Sequence, residues 1–162
     1  MLPGAIFMVT SACDPLREAA PADGYTVDYV IDGDTIGVAG PDGSTERVCL
    51  LGINTAELAH DGDAAQCGGE EAAERLAELL PEGTPVKPVS DSRADDEDRY
   101  GRLLRYVETD DRTDAATALL EAGHAYASNP TGEPGPDRSG AYQDAARAAG
   151  TDSWGTCPDR TA

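Results

Sequence analysis

Ile31-Asp32-Gly33-Asp34-Thr35 and Leu50-Leu51-Gly52-Ile53-Asn54-Thr55-Ala56-Glu57 are the two ends of the stretch that decides the fold of this chain. Between them lie an apolar-rich run from Thr35 to Ala39, the turn Gly40-Pro41-Asp42-Gly43, and a second run from Arg47 to Ile53. Pro-Asp-Gly supplies a preset φ, a side chain that bonds nearby backbone, and a residue free to take positive φ, so the two runs read as a β-hairpin. A hairpin brings its ends together, which makes Asp34 and Asn54 neighbours. Carboxylate and amide oxygens delivered by two strand ends suit Ca²⁺, which accepts oxygen ligands in a loose geometry. Glu57 follows at a spacing that lets it act on a water beside such an ion.

A third segment, Asp98-Arg99-Tyr100-Gly101-Arg102, completes a pattern. Taken in order, the three segments resemble the staphylococcal nuclease-like (thermonuclease) family. Its members show Asp-Gly-Asp-Thr, then Arg-Leu-x-Gly-x-Asp-Thr-Pro-Glu, then Asp-basic-Tyr-Gly-Arg. The resemblance runs from about Tyr25 to Trp154, most of the chain. It implies a Ca²⁺-dependent nuclease, a monomer that hydrolyses phosphodiester bonds of DNA, with RNA left open. By the same resemblance Asp34, Asn54 and the backbone carbonyl of Thr55 hold the Ca²⁺, and Glu57 orients or deprotonates the attacking water. Arg102 donates hydrogen bonds to the transition state, where a planar guanidinium matches phosphate geometry. Arg99 and Tyr100 are the candidate substrate contacts, while Asp32 and Thr35 are expected to shape the turn.

The chain departs from the family pattern in three places. Asn54 stands where the family has a metal-binding aspartate, Ala56 replaces the usual proline, and Cys49 occupies the position of an expected arginine. Arg47 lies two residues before Cys49, on the same strand face at roughly 7 Å, and is the third catalytic candidate. These departures also support a rival reading, a catalytically weak or inactive barrel that serves as a binding module.

Along the rest of the chain, Tyr25 to Ile31, Val86 to Ser90 and Leu103 to Val107 read as further strands. Glu70 to Leu80, Asp114 to Ala122 and Asp137 to Ala149 carry apolar residues at helical spacing and end near Gly or Pro. The expected fold class is α+β, mainly β, and the resemblance makes it a five-stranded oligonucleotide/oligosaccharide-binding barrel with about three helices. One domain, residues 25–157, follows a signal- or lipobox-like segment and acidic linker at 1–24.

That leading segment is a short apolar run ending in Thr10-Ser11-Ala12-Cys13. Small residues before a cysteine resemble a lipoprotein cleavage box, with Cys13 as the lipidated residue and membrane anchor. An extracellular or cell-surface location is the expectation, with a cytoplasmic one as the alternative. Export bears on the cysteines, because secreted relatives of this family often carry cysteines where Cys67 and Cys157 stand. The resemblance implies that these two are bridged, two free thiols being the alternative. Cys49 is expected to stay reduced inside the barrel.

Composition adds one constraint. Net charge is −19 over 162 residues, with Lys87 the single lysine among twelve basic residues. Phosphate affinity usually comes from basic patches, so this balance is unusual for a protein that touches polyanions. A dense carboxylate surface with almost no lysine resembles the proteins of extreme halophiles, and a haloarchaeal source is expected. At molar salt the Debye length is about 3 Å, so long-range repulsion of a polyanion largely disappears.

Overall fold

A computed structural model describes residues 24–59, 62–129 and 135–149. Cys13 and Cys157 lie outside them, so lipidation and the partner of Cys67 fall outside the described residues. The elements are β1 (Tyr25–Asp32), β2 (Thr35–Ala39), β3 (Thr45–Leu50), β4 (Ile53–Asn54), α1 (Gly69–Leu79), β5 (Pro85–Val89), β6 (Leu103–Thr109), α2 (Ala115–Glu121), β7 (Tyr126–Ala127) and α3 (Ser139–Ala149).

Five strands close into a barrel in the order β1-β2-β3-β6-β5. The β2–β3 hairpin forms as the Pro-Asp-Gly turn predicts: Asp42 accepts from the Ser44 N–H, and Gly43 takes φ 83°. β3 then pairs in parallel with β6, and β1 meets β5 to complete the closure. Inward positions carry Val27, Ile36, Val38, Val48, Leu50, Val86 and Val107, all buried, which makes an aliphatic interior. α1 contributes Ala72 and Leu76 to this core, with Leu80 just beyond it.

Two sequence expectations are corrected here. The run from Arg47 to Ile53 is not one strand. β3 ends at Leu50, Gly52 takes φ 88°, and Ile53-Asn54 form β4, which pairs with β7 in a separate two-stranded sheet. Cys49 is not inside the barrel either. Val48 and Leu50 face the interior, so alternation turns Arg47 and Cys49 outward on the site face.

The helices are docked by a polar network. Arg138 pairs with Glu108 of β6 and with Asp114, the N-cap of α2, and its guanidinium lies 4.2 Å from the centre of the Tyr106 ring. Tyr142 donates to Asp114 at 2.8 Å and meets Tyr106 edge-on, ring centres 6.1 Å apart. Tyr106 donates in turn to buried Asp91. These bonds fix α3 against α2 and β6, on residues separate from the site segments.

Gly33 is one of the tightest points of the packing. A Cβ built there would lie 2.6 Å from Thr55 Oγ1 and 2.7 Å from the Ala72 Cβ of α1. The β1–β2 turn, the segment after β4 and the first turns of α1 can therefore meet only at a glycine. Gly33→Ala is expected to destabilise the protein by about 1–3 kcal/mol through overpacking. A lowered midpoint in urea unfolding is the measurement, and an unchanged midpoint would contradict this packing.

Candidate active site

The site grows from the β1–β2 turn. Asp32 accepts from the Gly33 N–H at 2.6 Å, which tightens the turn, and Asp34 follows with its side chain buried. The Asp34 carboxylate accepts from Thr35 Oγ1 at 2.9 Å and from the backbone N–H of Thr55. Burial pushes its pKa up and nearby Asp32 adds to this, while Thr35, Arg102 and Thr55 pull the other way without winning. Asp34 is thus a desolvated carboxylate in an acidic corner, only partly compensated.

Arg102 is held from two sides. Its Nε donates to Asp98 Oδ2 at 2.7 Å and its Nη1 donates to Thr35 Oγ1 at 3.1 Å. Asp98 also accepts from the backbone N–H groups of Tyr100 and Arg102, so one carboxylate shapes the whole Asp98–Arg102 turn. Burial works to raise the Asp98 pKa, but the donors around it outweigh burial and hold it below the ordinary value. A continuous path results, from Asp98 through Arg102 and Thr35 to Asp34.

Arg47 and Cys49 face this path from β3. Cys49 pairs with Thr35 in the β2–β3 ladder and is a free thiol. Burial and then the Asp34 charge raise its pKa to about 12, so the group is a neutral thiol where the family pattern expects an arginine. Arg47 donates from Nη2 to the Tyr100 carbonyl at 2.8 Å, linking β3 to the turn that carries Arg102. Ile31, Asp32, Thr35, Arg47, Glu57, Tyr100 and Arg102 together line one cleft of about 580 Å³. Arg99 donates to the Tyr100 hydroxyl at 2.6 Å and stacks on its ring at 4.7 Å, but it is not a wall of the cleft.

Glu57 is positioned through its backbone. Gln66 accepts from the Glu57 N–H through its side chain, and the Gln66 N–H donates to the Glu57 carbonyl at 2.9 Å. Gly69, first residue of α1, lies so close that a Cβ would be 2.5 Å from the Glu57 carbonyl oxygen. α1 therefore fixes the segment that a proline at position 56 would otherwise stiffen.

The hairpin-end expectation holds only in part. Thr55, through its N–H, is the residue that hydrogen-bonds the Asp34 carboxylate. Asn54 donates its Nδ2 to the Tyr126 hydroxyl of β7, a bond that leaves the amide oxygen as its ligand-capable atom. Among the described residues no three His, Cys, Asp or Glu side chains gather as a metal cluster. For a hard cation the segments carry one buried carboxylate, Asp34, and the Asn54 amide oxygen, while Thr55 Oγ1 is buried against Gly33 without a hydrogen-bond partner. Carboxylate and amide oxygens of this kind are donors that suit a hard cation such as Ca²⁺.

Sequence reasoning gave no role to Asp98, Tyr126 or Gln66. The first carried a signal, since it opens the Asp-Arg-Tyr-Gly-Arg segment. The other two reach the site only through β4–β7 pairing and a loop closure that no local pattern announces. Cys67 is disulfide-bonded, with its partner outside the described residues, and Cys49 is a free thiol.

Residues 47–156 match the family described as staphylococcal nuclease homologue. The SPbeta prophage-derived endonuclease YokF of Bacillus subtilis is 36% identical over 96 residues, 59% of this chain and 31% of that protein. The endonuclease YncB of the same species is 36% identical over 96 residues, 59% of this chain and 44% of its own. The thermonuclease of Staphylococcus intermedius is 31% identical over 105 residues, 63% of this chain and 60% of that protein. The chain thus spans between about a third and three-fifths of the length of these relatives.

Because Asp98 accepts three hydrogen bonds, two of them from Arg102, its truncation should be felt as stability. Asp98→Ala is expected to cost about 1–3 kcal/mol in urea unfolding. Asp98→Asn should cost less, since an amide oxygen still accepts. Equal losses from both would mean that the charge, and not the turn it organises, is what matters.

Proposed function

Since the chain belongs to the staphylococcal nuclease family, we propose that it hydrolyses phosphodiester bonds of nucleic acid, DNA first and RNA left open, with Ca²⁺. The observation that carries this reading is the single cleft in which Arg47, Arg102 and Glu57 converge beside the Asp34 turn. Asp34 and Asn54 are the side chains, and Thr55 the backbone, that would hold the Ca²⁺, whose charge when bound offsets that of a non-bridging phosphate oxygen.

The chain's own groups have distinct tasks. Arg102 has Nε fixed by Asp98 and Nη1 by Thr35, so its remaining donors meet the phosphate already oriented. Preorganisation of this kind is what makes a donor more effective in the transition state than water. Glu57 accepts the proton of the attacking water as the water oxygen bonds to phosphorus and the ester P–O bond breaks, the departing alkoxide then gaining a proton. Arg47, anchored to the Tyr100 carbonyl, supplies the guanidinium that Cys49 lacks. We extend the proposal to location. Disulfides persist in oxidising compartments, so the bonded Cys67 supports an exported or surface-anchored protein, with Cys13 as the lipid anchor.

The test is purified protein with single-stranded DNA at molar salt, with Ca²⁺ and then with excess chelator. Cleavage that the chelator abolishes is expected, and its absence at every salt concentration would sink the proposal. Arg102→Ala should lower kcat by about 10²–10³-fold, the range for one preorganised donor. Glu57→Gln should also abolish most turnover while the fold, followed by circular dichroism, is retained.

A second comparison isolates β3. If Arg47 has taken over the phosphate clamp, Arg47→Ala should reduce kcat/KM about a hundredfold. Cys49→Arg should then add little, because a guanidinium there must share the space with Arg102. A gain of a hundredfold from Cys49→Arg, with no loss from Arg47→Ala, would reverse the assignment.

A further inference from the structure

Among the described residues, the large apolar side chains left exposed are Tyr29 and Tyr100, 48% and 58% accessible. Tyr100 is a wall of the cleft. Tyr29 is not. Its exposure is built by an irregularity in β1. Val27 pairs with Val38 and Tyr29 with Gly37, so Asp28 is an extra residue and β1 is bulged there. Regular alternation from Val27, which is buried, would send Tyr29 into the barrel interior. The bulge turns it outward instead, and bulges beside active sites commonly re-aim a side chain in this way.

The outward face that Tyr29 joins is the face of the site. Gly37 pairs with Tyr29 on one side and with Arg47 on the other, and Arg47 is bonded to the Tyr100 carbonyl. The Tyr29 ring rests on Gly37 so closely that a Cβ there would lie 2.7 Å from ring carbon Cε1. A glycine at this place in β2 is what lets the ring lie across the strand. The row runs Tyr29, Gly37, Arg47, Tyr100, with aromatics at its ends and an arginine between them. Two strand spacings separate Tyr29 from Arg47, roughly 10 Å.

From this row we infer that Tyr29 is the stacking platform of a second nucleotide subsite, where single-stranded nucleic acid leaving the cleft over Arg47 lays down a base. The inference rests on the nucleic-acid reading of the cleft. Alternating aromatic and arginine contacts are how single strands are held without regard to sequence, because every base has a π face. Such contacts also suit this chain. Asp28 next to Tyr29 is exposed, and with a net charge of −19 long-range attraction is absent. A stack acts at contact distance and does not depend on an electrostatic field that salt would screen.

The test uses Glu57→Gln protein with Ca²⁺, to prevent turnover, and fluorescence anisotropy with a dye-labelled oligothymidylate and a labelled dinucleotide. Adding Tyr29→Ala should weaken the long oligonucleotide by about tenfold, the order of one base–aromatic stack. The advantage of the long ligand over the dinucleotide should shrink by the same factor. Tyr29→Phe should keep that advantage, since the ring and not the hydroxyl is needed. In protein that keeps Tyr29, an oligonucleotide made abasic at one internal position should reproduce the loss. An equal loss for both ligand lengths, or no loss for either, would overturn the subsite. If the protein with Tyr29 intact binds neither ligand at any salt concentration, the nucleic-acid reading of the cleft fails and takes the subsite with it.

Discussion

The site depends on one chain of hydrogen bonds, Asp98 to Arg102 to Thr35 to Asp34. It ties the turn before β6 to the turn between β1 and β2, two places far apart in sequence. Each link satisfies a group that would be costly to leave alone. Burial tends to lower the Arg102 pKa, yet the Asp98 bond and the surrounding charges of Asp98 and Asp34 together more than offset it, and the guanidinium stays charged. Asp34 receives only a hydroxyl, a backbone N–H and a distant share of Arg102, and its pKa stays raised. Its neighbours do not fully offset the burial of this carboxylate.

The substitutions at the site follow from that electrostatic arrangement. A thiol at position 49 is neutral and small, and it lies beside Thr35 within electrostatic reach of Asp34 and Arg102. Arg47 places a guanidinium at the next outward position of the same strand, bonded to the Tyr100 carbonyl. Asn54 carries no charge, but its Nδ2 bond to Tyr126 fixes which end of the amide remains available. The pairing of β4 with β7 is therefore more than a sheet extension. It brings a hydroxyl from the far end of the chain against a candidate ligand.

Polar side chains divide between two tasks in this small protein. Arg138, Asp114, Glu108, Tyr106 and Asp91 dock the helices. Arg47, Arg102, Asp98, Thr35 and Asp34 build the cleft. The two sets share no member, so the acidic surface can vary widely while both networks persist. With so few basic residues, seating Arg47, Arg99 and Arg102 around one tyrosine concentrates positive charge where a phosphate would need it.

Much of this was legible in the sequence. Pro-Asp-Gly between apolar runs determined the β2–β3 hairpin, because turn chemistry is local. Helical spacing and terminal glycines placed α1, α2 and α3 to within two residues, since an amphipathic face and its stop signals are also local. Asp34, Glu57 and Arg102 could be named from three short segments in order. Tertiary structure alone decided the rest. Gly52 breaks the run after Leu50, and which strand Asn54 then joins depends on β7, some seventy residues away. The inside or outside of Cys49 depended on barrel register, where a shift of one residue reverses every side chain. The bulge at Asp28 reverses Tyr29 in the same way, and only closure of the barrel shows that it faces the cleft side. Positions fixed by neighbours in sequence could be read directly, whereas those fixed by neighbours in space required the fold.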